Sequence, residues 1–201
     1  MVDAPVESAV TTWSSQPNYY IGNPPTDGAL GTNDLDAPGY REASVAMIRA
    51  AGPAVRESRN ALEAEDLTLA EKHDLVQTAL ATVPTSSPEA SWFATVTVSL
   101  LAVDAFTRDR AEPEVVAVYV ENLLNAENPN ADVMLRGLQA LDGHWEPQRL
   151  KTAARQAADA ALTFLGTDCD ECRAAEQALQ PEDRADAITD AVGMLEHIAG
   201  E

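Results

Sequence analysis

The sequence predicts an all-α protein of about eight helices, packed as antiparallel hairpins in an irregular bundle or a short α-solenoid-like stack. Three observations carry that prediction. Ser87–Arg108 is the most apolar stretch and continues for about 20 residues after Pro88 without a helix breaker. Apolar residues elsewhere recur at three- and four-residue steps. Helix starts are marked by capping residues and by proline in the first turn, as in Thr68-Leu69-Ala70-Glu71, Glu112-Pro113 and Glu146-Pro147. Residues 1–39 are expected to form an extended arm, and residues 40–201 a single helical domain.

The arm stands apart by its punctuation. Pro5, Pro17, Pro24, Pro25 and Pro38 alternate with Gly22, Gly28, Gly31 and Gly39, and no Lys or Arg precedes Arg41. No helical period survives that spacing. Trp13, Tyr19, Tyr20, Ile21, Leu30 and Leu35 are nevertheless too apolar for a solvated linker. The arm is expected either to wrap onto its own helices or to cross to a neighbouring subunit, and Trp13, Tyr19, Tyr20 and Ile21 are the candidate partner-binding residues.

The helices follow in order. Tyr40–Ala51 is helical, and Gly52-Pro53 is expected to break or kink the chain before Ala54–Ala64. The capping box at Thr68 opens a helix to about Val83, with Leu69, Leu75, Val76 and Leu80 facing inward. Ser87 caps the central helix, whose stripe is Trp92, Val96, Leu100, Val103 and Phe106. Ala94–Leu100 also alternates apolar with hydroxyl residues, as a half-buried strand would. Pro113 starts EVVAVYVENLL, a second place where valines invite a strand. Asp132–Leu141 follows Asn128-Pro129-Asn130, and Pro147–Leu165 ends at Gly166. Asp168–Leu179 and Pro181–Ala199 complete the chain. Trp145 and Leu150 have hydrophobic-staple spacing about Glu146.

Glu112-Pro113, Glu146-Pro147 and Gln180-Pro181 recur every 34 residues, since 147 − 113 and 181 − 147 are both 34. That period suggests stacked αα-hairpins in the C-terminal half. The Trp, Gly and Tyr pattern of tetratricopeptide repeats is absent.

Charge narrows the function classes. The chain has 13 Lys+Arg against 33 Asp+Glu, a net charge of −20. This composition resembles that of salt-loving organisms, whose carboxylate surfaces remain hydrated at high salt. A nucleic-acid backbone or an anionic membrane surface is not an expected partner, for want of a basic stripe. With no run of 18 apolar residues and no basic, apolar leader, the protein is expected in the cytoplasm or in a virion rather than secreted.

Catalytic patterns are sparse. Cys169 and Cys172 form a C-x-x-C at a helix start, where free amides favour a thiolate, although Asp168, Asp170 and Glu171 oppose it. Locally, from about Leu150 to Leu195, this resembles the all-helical alkylhydroperoxidase D-type family, in which a histidine follows four residues after C-x-x-C. Here that position is Glu176, so the proton relay that the resemblance would imply is missing. His73, His144 and His197 lack metal-ligand spacing, and no cofactor or metal is expected. Glu63, Glu65 and Asp66 read as a solvated acidic face, and Arg108 and Arg110 as complements to a helix C-terminus.

The expectation is a non-enzymatic assembly protein that binds protein subunits through the arm and a helix face, as a homo-oligomer or in a larger assembly. A virion head–tail connector or adaptor has this plan. The alternatives are a thiol oxidoreductase or peroxidase-like enzyme using Cys169 and Cys172, and a cytoplasmic helical-repeat adaptor.

Overall fold

The computed structural model describes residues 39–166 and 183–200. Seven α-helices and no strand occur among them: α1 (Tyr40–Glu63), α2 (Leu69–Ala81), α3 (Pro88–Arg108), α4 (Pro113–Asn125), α5 (Ala131–Ala140), α6 (Pro147–Gly166) and α7 (Asp183–Ala199). The all-α class is therefore correct. The arm 1–38 and the expected helix Asp168–Leu179 lie outside the described residues. Those described divide into two compact units, and the division falls within α3, after Ala102.

In the first unit, α1 packs on α2. Gly52-Pro53 does not break α1, which runs continuously with Pro53 inside it. Proline removes one backbone donor there and costs about 3 kcal/mol in a helix interior. Packing opposes that cost, because Ala51, Ala54, Val55, Ser58, Ala61 and Leu62 form a buried stripe through the proline. The capping box of α2 forms as expected. The Thr68 hydroxyl and backbone amide both donate to Glu71 Oε2, at 2.7 and 2.9 Å, and Glu71 N donates to Thr68 Oγ1 at 3.2 Å. Those two donors, the hydroxyl first, hold the Glu71 carboxyl below its ordinary pKa.

The inward face of α2 differs from the expected one. Lys72, Val76, Ala79 and Val83 are buried, whereas Leu75 is 46% exposed. Lys72 takes the inward position because its Nζ donates to the carbonyl of Leu62 at 2.9 Å. Leu62 belongs to the last turn of α1, where carbonyls lack intrahelical partners and a cation is favoured.

Ser87 caps α3 as expected, its hydroxyl accepting from Ala90 N at 3.3 Å. The strand reading of Ala94–Leu100 fails, since this segment is the middle of α3. The single stripe is also corrected. Val96, Thr97, Val98, Ser99 and Leu100 are all buried, as are Ala90, Phe93, Ala94 and Ala102, while Trp92 is only half-buried. A helix apolar on every side belongs in a core. Thr97 and Ser99 thus mark burial rather than a wet strand face. By length and composition α3 is long and apolar enough to cross a membrane, and 67% of its most apolar window is buried within the protein. Burial accounts for that apolarity.

In the second unit α5 packs against α4, α6 and α7, and α6 packs most extensively on α7. Phe106 at the end of α3 stacks on Tyr119 of α4 with ring centroids 5.5 Å apart, and both side chains are fully buried. The α6 face toward the core is almost wholly alanine (Ala153, Ala154, Ala157, Ala158, Ala161), which lets neighbours approach closely. A Cβ on Gly200, just past α7, would meet Lys151 Nζ, near the start of α6, at 3.3 Å. At 1.5 Å rise per residue, only antiparallel packing of α6 and α7 brings those positions together.

Both α3 and α4 end in Schellman motifs without glycine. Ala111 N donates to Phe106 O and Arg110 N to Thr107 O; Asn128 N donates to Leu123 O and Glu127 N to Leu124 O. Arg110 and Glu127 accordingly adopt φ of 57° and 47°. Arg110, expected to complement the α3 dipole, is the left-handed residue just past the end of α3 that turns the chain.

Among the described glycines, Gly137 of α5 has the closest neighbours. A Cβ there would lie 2.5 Å from Val120 Cγ2 and 3.3 Å from Val103 Cγ1. Valine in a helix has essentially one rotamer and cannot turn away. Gly137→Ala is therefore expected to destabilise the protein by about 1–2 kcal/mol, overpacking exceeding the gain in helix propensity. Gly193→Ala, at an exposed α7 position with nothing within 4 Å of the added carbon, is expected to stabilise by up to about 1 kcal/mol. Denaturant unfolding of the two variants checks the opposite signs.

Candidate groove between helices α4 and α6

The sequence-predicted site residues Trp13, Tyr19, Tyr20, Ile21, Cys169 and Cys172 lie outside the described residues, as does Glu176. Of the histidines, His144 and His197 are exposed and His73 is half-buried. Among the described residues, no group of three or more His, Cys, Asp or Glu side chains could hold a metal ion. Glu63, Glu65 and Asp66 are exposed, as a solvated face requires.

The described second unit offers instead an open groove of about 300 Å³ between α4 and α6. Local sequence builds it. Trp145 immediately precedes the Glu146 carbonyl that accepts the Leu150 amide at 3.1 Å, so Trp145 stands at the mouth of α6. Arg149 lies one turn further on, on the same face. Its guanidinium carbon sits 3.9 Å from the Trp145 ring centroid, and its Nη2 pairs with Glu121 of α4. One more turn places Thr152, and a further turn Gln156, whose Nε2 donates to the Leu124 carbonyl at 2.7 Å. Leu124 belongs to the last turn of α4, and its carbonyl takes this side-chain donor in addition to the Glu127 amide. Two polar ties therefore join α4 to α6.

The electrostatics of the groove contrast with the composition of the chain. Its charged lining residues are Glu121 and Arg149, which offset each other, and Leu124, Trp145, Gln148, Thr152, Ala153 and Gln156 are neutral. A surface that combines an aromatic ring, a guanidinium and amide side chains can bind peptide groups and rings.

A second charged cluster is internally paired. Arg136 Nη1 meets Asp104 Oδ1 at 2.6 Å and Arg136 Nη2 meets Asp132 Oδ2 at 2.7 Å. Arg108 approaches Asp104 at 3.9 Å and Asp109 at 3.2 Å. This network ties the end of α3 to α5 and serves the fold.

Reasoning from sequence missed the groove, although two signals bear on it. The staple spacing picked out Trp145, and the 34-residue period between Glu112-Pro113 and Glu146-Pro147 marks the starts of the two helices that line it. No protein-family model matches the chain, and neither a curated protein nor a solved structure matches it significantly.

The Glu121–Arg149 tie is testable. A double-mutant cycle with Glu121→Ala and Arg149→Ala is expected to give a coupling of about 0.5–1 kcal/mol at low salt, because both side chains are half exposed. In molar salt that coupling is expected to fall toward zero as screening shortens to about 3 Å.

Proposed function

We propose that the chain is a non-enzymatic assembly protein that binds other protein subunits through the α4/α6 groove and through its N-terminal arm. The observation that carries this reading is the groove itself, a neutral, aromatic and amide-lined surface on a chain of net charge −20. Highly acidic surfaces repel other acidic proteins, so a neutral patch is where a partner can approach.

The finer architecture belongs to the same proposal. We read α4 with α5, and α6 with α7, as successive antiparallel helix pairs, so that α4 and α6 are the leading helices of neighbouring pairs. The neighbouring faces of leading helices form the usual binding surface of stacked hairpins. The arm residues Trp13, Tyr19, Tyr20 and Ile21 supply the complementary apolar contact. A virion head–tail connector or adaptor of a virus of a salt-loving host, present in the host cytoplasm or the particle, fits this plan of compact helices plus an arm, by analogy of architecture alone.

The test is mass in solution. In molar salt, light scattering is expected to give a multiple of the monomer mass for the full chain, and deletion of residues 1–39 is expected to reduce it. A monomer at every concentration, together with a deletion that changes no interaction, would contradict the proposal.

A further inference from the structure

One stretch of the chain shares the unusual neutrality of the groove. From Ser8 to Thr26 there are 19 consecutive residues without Asp, Glu, Lys or Arg, in a chain of which these types make up 23%. The next longest such runs, Leu75–Pro88 and Ala90–Val103, have 14 residues each. Ala90–Val103 lies in the buried helix α3, where burial explains the missing charges. The Ser8–Thr26 run instead combines Trp13, Tyr19, Tyr20 and Ile21 with Pro17, Pro24 and Pro25.

We propose that the α4/α6 groove is the docking site for the segment Trp13–Pro25 of a second copy of this chain. The inference rests on the assembly reading above and names its partner. Charge matching is the first argument. Two copies of net charge −20 repel, and contact costs least where neither surface carries uncompensated charge. The groove meets that condition, since Arg149 offsets Glu121. The first half of α6 goes further, with Lys151 and Arg155 exposed in addition to Arg149 and no acid between Glu146 and Asp159 to offset the excess over the Glu121–Arg149 pair. The flanks of the segment carry Glu7 and Asp27 and no base, which this basic stretch attracts.

Chemical fit is the second argument. The Trp145 edge and the Arg149 guanidinium suit the rings of Tyr19, Tyr20 and Trp13. The exposed Gln148 amide can pair with peptide groups of a bound segment, and the Thr152 hydroxyl, which donates to the Gln148 carbonyl at 2.9 Å, can accept from one. Recognition of a Pro-containing strand in an aromatic-lined groove is an established binding mode.

Photo-crosslinking of the full chain tests this. Tyr20→p-benzoylphenylalanine chains, mixed with isotope-labelled wild-type chains in molar salt, are irradiated and the adducts mapped by mass spectrometry. Adducts between light and heavy chains within residues 121–156 support the proposal. Thr152→Glu, at an exposed helical position, places a new carboxylate in the groove and is expected to lower their yield about tenfold. Its helical circular dichroism is expected to stay unchanged. Adducts confined to one chain, adducts mapping elsewhere, or a yield indifferent to Thr152→Glu would overturn the inference. If oligomers persist while adducts map elsewhere, the assembly reading stands and only the groove assignment fails. A monomer without partners removes both.

Discussion

At Gly137 a missing methyl group sets how closely α5 lies on α4 and the end of α3. The space beside its Cα is taken by the γ-carbons of Val120 and Val103, and both valines are themselves buried. β-Branched residues hold one rotamer in a helix, so this contact behaves as a fixed stop rather than a soft one. The position of α5 then constrains the rest of the second unit, because α4, α6 and α7 all pack against it. The Phe106–Tyr119 stack joins the end of α3 to α4, and the Arg136–Asp104 pair joins it to α5.

The groove follows from that arrangement. With α4 and α6 both packed on α5, their outer faces are brought side by side, where Glu121 reaches Arg149 and Gln156 reaches the Leu124 carbonyl. The alanine face of α6 is spent on packing, which leaves its long polar side chains for the outside. A chain whose surface charge disfavours contact thus retains a neutral region set into a rigid element. Specific association between strongly acidic molecules requires such a region, and molar salt strengthens it by screening the remaining repulsion.

Much of the helical framework was legible in residue types with direct local consequences. Thr68 and Glu71 formed their reciprocal cap, Ser87 capped α3, and Pro113 and Pro147 opened α4 and α6. The errors share a cause, because each depended on contacts distant in sequence. Pro53 was carried through α1 by a buried stripe. Leu75 yielded the inward face to Lys72, whose amine found a helix-end carbonyl. Trp92 was expected to lead a single stripe, but burial extends round most of α3 and leaves Trp92 itself half-buried. Gly137 gave no sign, since a close approach is a property of two helices together. For the groove, Trp145 was singled out locally, but Glu121 and Leu124, which line it from α4, are more than 20 residues away. The sites that the sequence did nominate, the aromatic arm and Cys169–Cys172, lie outside the described residues.

The central claim is that α5 is the fixed element on which the second unit is built. Hydrogen exchange of the intact chain in molar salt tests it most directly, because amides in the most constrained element exchange only through global opening. The account predicts that the amides of residues 134–138 are the slowest of the second unit and track its global stability in denaturant. Exchange of those amides before the middles of α6 and α7 would contradict it.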